Sequence, residues 1–533
     1  MDKIHGKMDN SLKLIIRYRL ILVLIIYILF GIFLLKYYQY QINTDGIRYI
    51  YIANLYLTDQ WGTAIDAYWG PLISWLLIPF LYFSHTPVNE LISTKILSLI
   101  IGFFTIIGVK QLSYRFEMDE TIRTSILFIL IPIILYFAYS VFTPDLLIVC
   151  LLVFYLSIIF NPNYPEKLSN GIFCGILGAL SFLGKSYLFP FFIATFIIFN
   201  LFHYFKGIEQ DKRKKVIKNL FIGFIIFFII SGVWILLISQ KEGKITIGTS
   251  GEVNYGKVGP LGNIIADGNP NEGITQKFAY NSSYTPYIYN WSPFKSWNNF
   301  KLQLKIIFKN TKQLISILNS FSYLSIIILI SCILLCIPPT KKLLSESNIL
   351  YSLVTIAIYA GGYLPILLEE RYLWIIYILL ILMGGYLINL MFKWNYFPKK
   401  KFSGMIKTIV ILLFAFSFII MPLNYLVQNI HTDENIYNLS ETLMKEYGIH
   451  GNLASNTNHQ NAQFISFYTK AKYLGEGQEN VTDNELKINL NKLNIDYYLV
   501  WGYSPNSKYL DDNYKEITNG TINDLKIYSI NEG

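Results

Sequence analysis

The chain has 533 residues, of which 53% are hydrophobic and only 15% charged, a balance too apolar for an ordinary soluble domain. Its formal charge of +10 is gathered in short basic stretches between apolar runs, the orientation signal of a membrane protein rather than a nucleic-acid surface. The four cysteines (Cys150, Cys174, Cys332, Cys336) fall in apolar segments and the six histidines are scattered, so neither a disulfide framework nor a zinc site is predicted.

Apolar runs of roughly 15–21 residues must close their own backbone hydrogen bonds in lipid, and therefore read as helices. In chain order the predicted spans are 20–35, 91–109, 125–142, 146–160, 171–183, 187–205, 220–238, 321–337, 349–368, 372–392 and 409–423, eleven in all. The first follows a basic stretch and has no small-residue cleavage site behind it, so it reads as a retained span. A further apolar run, 71–83, is decided by charge. The basic N-terminus (Lys3, Lys7, Lys13, Arg17, Arg19) is expected in the cytoplasm. If 71–83 lies on the membrane surface, Lys110, Arg115 and Arg123 and the basic loops 203–219, 338–348 and 393–407 share that side. If it spans, the strongly basic 203–219 loop falls on the wrong face.

The eleven-span reading gives an all-α polytopic membrane module over 1–425, with outer loops 36–90 and 240–318. A small α/β extracytoplasmic domain follows over 426–533. Within 36–90, Ile47, Ile50, Tyr51 and Leu55 recur at helical spacing among tyrosines and tryptophans, which suits helices lying in the interface plane. In the tail, "NELKINLNKL" reads as a helix, "NIDYYLVWGY" as a strand and "DLKIYSI" as a last strand. The chain is expected in the plasma (inner) membrane, N-terminus cytoplasmic and tail extracytoplasmic.

This topology gathers Asp45, Asp145, Lys185, Glu369, Glu370 and Arg371 at span ends on one side. Ionisable groups at membrane depth are expensive and are candidates for function. Plainer readings stand beside that one. Asp45-Gly46 suits a turn, and Pro144-Asp145 suits a helix start. Lys185 and Arg371 suit side chains snorkelling to headgroups. Asp66 and Glu90 are alternative acids in the first outer loop, and Trp61, Trp69, Trp291 and Trp297 fit either a sugar platform or an interfacial aromatic belt. The 240–318 loop, with "IGTSGEVNYGKVGPLGN" (247–263), is Gly-rich without the strand-to-helix context of a phosphate loop, and the loop is expected to cover the site or touch an acceptor.

"TDGIRYIYIANLY" followed by "YWGPLISWLL" resembles the first outer loop of polyprenyl-phosphate-sugar-dependent glycosyltransferases of the GT-C fold, such as glycosyltransferase family 39 and the aminoarabinose transferases. "VFTPDLLIVCLLVFYL", "GALSFLGKSYLFPFF" and "EERYLWIIYILLI" resemble that family's second outer loop, the end of its fifth span and its late arginine-tyrosine element. The resemblance covers roughly residues 15–425. It departs where Tyr68-Trp69-Gly70 replaces the usual His or Lys before the Pro-Leu element, and where Gly46 replaces a second acid after Asp45.

The resemblance implies an inverting transfer of a sugar from a polyprenyl-phosphate carrier to a hydroxyl of a glycan, lipid or protein. Asp45 and Asp145 are then the catalytic candidates, and Lys185, Arg371 and Tyr372 those for the donor phosphate. Tyr68, Trp69 and Glu369 are candidates for sugar or acceptor. The implied partners are the lipid-linked donor, membrane lipids and the acceptor, with no nucleic acid. No cofactor is required and no metal site is predicted; a divalent cation is left open. The alternatives are a flippase or transporter of lipid-linked saccharides, which needs mid-span charges or broken helices, and a ligase or polymerase of the same donors. Only Lys95 stands inside a span.

Overall fold

The computed structural model describes residues 2–206, 209–260, 262, 274–275, 291–337, 349–393, 400–477 and 481–530. The membrane module begins with α1 (Asp2–Tyr38), the surface helices α2 (Thr44–Leu57), α3 (Trp61–Ala64) and α4 (Leu72–Leu81), and then α5 (Pro87–Ser113) and α6 (Glu120–Ser140). It continues with α7 (Asp145–Ile159), α8 (Leu168–Gly184), α9 (Leu188–Lys206) and α10 (Gln210–Glu242). The outer segment contributes α11 (Ser250–Lys257) and α12 (Trp297–Phe321). Then come α13 (Ser325–Cys336), α14 (Ile349–Tyr363), α15 (Trp374–Lys393) and α16 (Lys400–Gln428).

Every run predicted as a span is helical over most of its length. Among the described residues, seven helices are long and apolar enough to cross a membrane, within α1, α5, α6, α9, α10, α15 and α16. An eighth follows if α12 and α13, which meet at 108°, are one broken span. By length alone this is fewer than the eleven expected, because α7, α8 and α14 have only 15, 17 and 15 residues. The run 71–83 forms only the ten-residue α4, too short to cross at 1.5 Å per residue.

Burial sorts the helices. The apolar windows of α6 and α15 are 78% buried, whereas those of α1 and α16 are 22% buried. Helices apolar all round belong at the centre of a bundle, and α7 is buried along nearly its whole length. Sequence chemistry sets several starts. Thr86 accepts from Asn89 N with Pro87 in the first turn of α5, Asp119 caps α6 through Ile122 N, and Ser296 caps α12 through Asn299 N.

The tail is a small β-containing domain with α17 (Glu434–Glu446), α18 (His459–Thr469), α19 (Asp483–Lys492) and α20 (Ser507–Asn513). Its strands are β2 (Asn452–Ser455), β3 (Lys472–Gly477), β4 (Tyr497–Trp501), β5 (Lys515–Glu516) and β6 (Leu525–Ser529). The two-residue β1 (Ile274–Thr275), from the outer segment, completes a sheet of order β1-β3-β2-β4-β6-β5. β2 pairs parallel with β3 and β4, and β6 antiparallel with β4 and β5. The helix expected in "NELKINLNKL" is α19, opened by a Thr482–Glu485 capping box; the expected strands are β4 and β6. The domain sits on the membrane module through Tyr468 Oη to Tyr40 O (2.9 Å), Ile42 N to Asp433 Oδ2 (3.0 Å) and a Tyr40–Tyr437 ring stack at 4.3 Å.

Candidate active site

Four loop-to-helix junctions meet on the side of the bundle that carries the tail domain. Asn43 precedes α2 in extended conformation, and its Oδ1 accepts Phe142 N (3.0 Å), tying the first outer loop to the second. Asp45 follows in the first turn of α2, and Asp145 opens α7. Both carboxylates thus stand at helix N-termini, where the backbone dipole favours negative charge. Lys185 lies between α8 and α9, and Arg371 in the 3₁₀ turn Glu370–Leu373 before α15.

These side chains form one network. Asp145 is only 4% exposed; its Oδ1 accepts Lys185 Nζ at 2.6 Å and its Oδ2 accepts Thr143 Oγ1 at 2.8 Å. A guanidinium Nη of Arg371 lies 2.8 Å from Asp45 Oδ2, and its Nε lies 2.7 Å from Glu369 and 3.9 Å from Asp145. Asp45 is 32% exposed and Asp145 only 4%, so Asp45 is the more open of the two carboxylates. Lys185 Nζ sits 3.6 Å above the centre of the Tyr372 ring, a cation–π contact strengthened by desolvation. Burial lowers the Lys185 pKa against the pull of Asp145.

The network floors a cavity of about 1070 Å³. Tyr68 and Trp69 line it, as do Asp45, Asp145, Lys185, Glu369, Arg371 and Tyr372, so all eight predicted site residues border one space. Asp66, read above as an alternative acid, has a structural place. It pairs with Arg48 at 3.1 Å and accepts the backbone N–H of Tyr68 and Trp69, which presents those two rings to the cavity. Glu90 accepts from Asn54, and Glu370 from Tyr136. Trp69 packs edge-on against Tyr49, Trp61 against Tyr56, and Trp291 stacks on Tyr255. Gly70 is needed where it stands, because a Cβ there would lie 2.3 Å from Gly184 O.

Residues 245–257 cover one side of the cavity. Thr249 N donates to Ala67 O (2.8 Å), the Ser186 and Ser250 hydroxyls meet at 2.9 Å, and Asn254 stands near the Tyr68 hydroxyl. Gly248 has φ +137°, and a Cβ there would meet Ser186 at 2.9 Å. From this cover Lys257 also lines the cavity. Burial lowers its pKa, against the pull of Asp45. Burial and then the nearby Asp45 carboxylate push the Tyr68 phenol up to about 12, so it is a neutral hydrogen-bond donor at physiological pH. Lys257, Asn254, Ser186 and Thr143 were not singled out from the sequence. Lys257 stands in the loop 240–318 expected to cover the site, but nothing local says that it turns inward. Among the described residues, no group of three or more His, Cys, Asp or Glu is arranged to hold a metal ion.

No family model and no curated protein matches the chain. Solved structures do. The apo structure of ArnT from Cupriavidus metallidurans matches with TM-score 0.56 at 9% identity, over 96% of this chain and 97% of that one. The same protein bound to undecaprenyl phosphate matches with TM-score 0.55 at 9% identity, over 95% and 97%. A more distant match is the archaeal oligosaccharyltransferase AglB from Archaeoglobus fulgidus in complex with an inhibitory peptide and a dolichol-phosphate (TM-score 0.48, 10% identity, 91% of this chain and 70% of that one). The chain thus has a GT-C-type fold, a polytopic helical membrane module carrying a small β-containing tail.

Proposed function

We propose that the protein is an integral-membrane glycosyltransferase that moves a sugar from a polyprenyl-phosphate carrier to a hydroxyl acceptor on the extracytoplasmic face, with inversion at the anomeric carbon. The observation that carries this reading is the meeting of Asp45, Asp145, Lys185 and Arg371 in one cavity of a chain with this fold. The solved structure of ArnT with undecaprenyl phosphate makes a lipid phosphate the natural donor class.

Each residue type answers a chemical demand. A hydroxyl is a weak nucleophile at neutral pH, so a carboxylate must take its proton as it attacks. Asp45 has that access, whereas both oxygens of Asp145 are engaged by Lys185 and Thr143. The acceptor oxygen forms the new bond to the anomeric carbon from the face opposite the phosphate, its proton passing to Asp45. The old carbon–oxygen bond breaks, and its electron pair leaves with the polyprenyl phosphate through an oxocarbenium-like state. Charge then grows on the phosphate oxygens, where Arg371, Lys185 and Lys257 stabilise it. Asp145 keeps Lys185 charged and in place. Tyr68, Trp69 and Glu369 face the sugar or acceptor.

The test is a release assay on the purified, reconstituted protein given a polyprenyl-phosphate sugar and an acceptor hydroxyl. Asp45→Asn is expected to stop release of polyprenyl phosphate while the melting temperature stays near that of the parent. Ordinary turnover by Asp45→Asn would overturn the base assignment. Absence of any release by the parent across lipid-linked sugars would overturn the reaction.

A further inference from the structure

The outer segment contains a 25-residue helix, α12, whose three faces have different chemistry. Its sequence, "WNNFKLQLKIIFKNTKQLISILNSF", holds four lysines and no acidic residue. The inward stripe mixes two buried amides, Gln303 and Asn310, with Ile317, Leu318 and Phe321. Gln303 donates to Pro365 O (3.0 Å), Asn310 to Leu364 O (2.8 Å) and Ile366 O (3.3 Å), and Gln313 to Leu368 O (2.7 Å). The carbonyls so satisfied belong to a non-helical stretch that would otherwise leave them unpaired. That stretch runs straight into Glu369 and Arg371, so α12 braces the backbone that presents the guanidinium.

Among the described residues, the outward faces have no such hydrogen-bonded partner. At 100° per residue, Trp297, Leu304, Phe308 and Ile315 form one exposed apolar flank. Lys301, Lys305, Lys309 and Lys312, all exposed, form the flank beside it. Two of the ammonium groups lie over rings of the apolar row, Lys301 Nζ over Trp297 at 5.5 Å and Lys312 Nζ over Phe308 at 4.5 Å. The helix then turns through 108° into α13, a short apolar helix with Ile327, Ile330, Ile333 and Leu334 exposed. Taken with α13 along the membrane normal, as the predicted span 321–337 implies, the 108° turn would lay α12 nearly in the membrane plane.

We propose that α12 is an anionic-lipid-binding helix: Leu304, Phe308 and Ile315 enter the acyl boundary, and the four lysines hold phospholipid phosphates of the outer leaflet. A soluble polyanion would satisfy the lysines and leave the apolar flank wet; a neutral bilayer would cover the flank and leave the lysines unanswered. An anionic bilayer answers both. Each lysine near such a surface is worth roughly a fivefold gain in association, and salt weakens it. Because α12 also holds the 364–368 carbonyls, occupancy by anionic lipid steadies the approach to Arg371. That coupling rests on the function proposed above; the lipid binding does not.

The experiment is native mass spectrometry of the full chain released from micelles containing equal amounts of phosphatidylglycerol and phosphatidylcholine. The parent is expected to retain phosphatidylglycerol preferentially. Changing the four lysines together to Gln is expected to lower that retention at least tenfold, and changing them to Arg to preserve it. All four side chains are exposed, so the variants should melt with the parent; the pair Lys305→Gln and Lys309→Gln gives an intermediate loss if the fourfold variant is poorly expressed. Equal retention of the two lipids by the parent, or equal retention by the parent and the Gln variants, overturns the proposal. So does displacement of phosphatidylglycerol by inorganic phosphate at matched concentration, which would make the site one for a free anion. The lipid readout needs no turnover, so its failure is separate from failure of the transferase reading.

Discussion

The floor and the cover of the cavity are built on opposite principles. The floor is a set of charges fixed at the ends of packed helices, each paired before any substrate arrives: Asp145 with Lys185, Arg371 with Asp45 and Glu369. The cover, residues 245–257, is a short loop and helix held by Thr249 N to Ala67 O, the Ser250–Ser186 hydroxyl pair, Tyr255 Oη to Gln303 and the Tyr255–Trp291 stack. Preorganised charge is a strong lever on a transition state, and a loop segment beside a cavity is a common way of admitting a substrate. The division assigns chemistry to the floor and access to the cover, and substitutions on either side test it.

The largest effect should come from the floor. Asp145→Ala strands the Lys185 ammonium without its buried partner, a change that typically costs about 3–5 kcal/mol. A large fall in melting temperature and loss of turnover are expected together. Asp145→Ala melting like the parent would show that Lys185 finds water in the cavity and that the floor is less dry than its burial implies. Next comes Arg371→Lys. A lysine cannot reach Asp45 and Glu369 at once from a planar fork, so kcat is expected to fall on the order of 10²–10³-fold. Donor affinity, read by titration with a short-chain polyprenyl phosphate, should fall far less.

What could be read in advance follows the same line. The floor residues were legible because each stands beside an apolar run whose helix is unmistakable, so the charge count alone put them on one side. The spans were legible for the same reason, though α7, α8 and α14 are shorter than membrane-crossing length and owe their helicity to burial within the bundle. The cover was not legible in detail. Lys257 and Asn254 sit in a Gly-rich stretch with no period, and only its fold-back onto Ala67 and Ser186 turns them inward. Helix α12 falls largely inside a predicted loop because its four lysines break the continuous apolar run that marks a span, and Gln303 and Asn310 take two of its inward positions. Asp66 shows the opposite case: a carboxylate attractive in sequence, engaged in the structure by Arg48 and two backbone N–H groups.

On the cover, Gly248→Ala is expected to act through access. The residue has φ +137°, a conformation costly for any residue with a Cβ, and the new methyl would press on Ser186. A strain of about 1–2 kcal/mol placed on the closed form should raise the donor KM roughly five- to thirtyfold with kcat nearly unchanged. A fall in kcat at constant KM would instead place the cover within the chemistry.

The smallest effect tests the one side chain that belongs to both parts. Tyr68 lines the floor side of the cavity, and its hydroxyl stands near Asn254 of the cover. Tyr68→Phe removes a single neutral hydrogen bond, worth about 0.5–1.5 kcal/mol, so a two- to tenfold rise in KM is expected. The phenol is pushed up to about 12 by burial and the neighbouring Asp45, so it stays protonated at every pH below that value. Its loss should therefore leave the shape of the pH–rate profile untouched; a lost or displaced limb would make Tyr68 an acid or base in the reaction. The cycle with Asn254→Ala separates the remaining roles. If Tyr68 only latches the cover, the double variant is no worse than either single one. If the two losses add, the hydroxyl also touches the sugar, and the boundary between floor and cover runs through this ring.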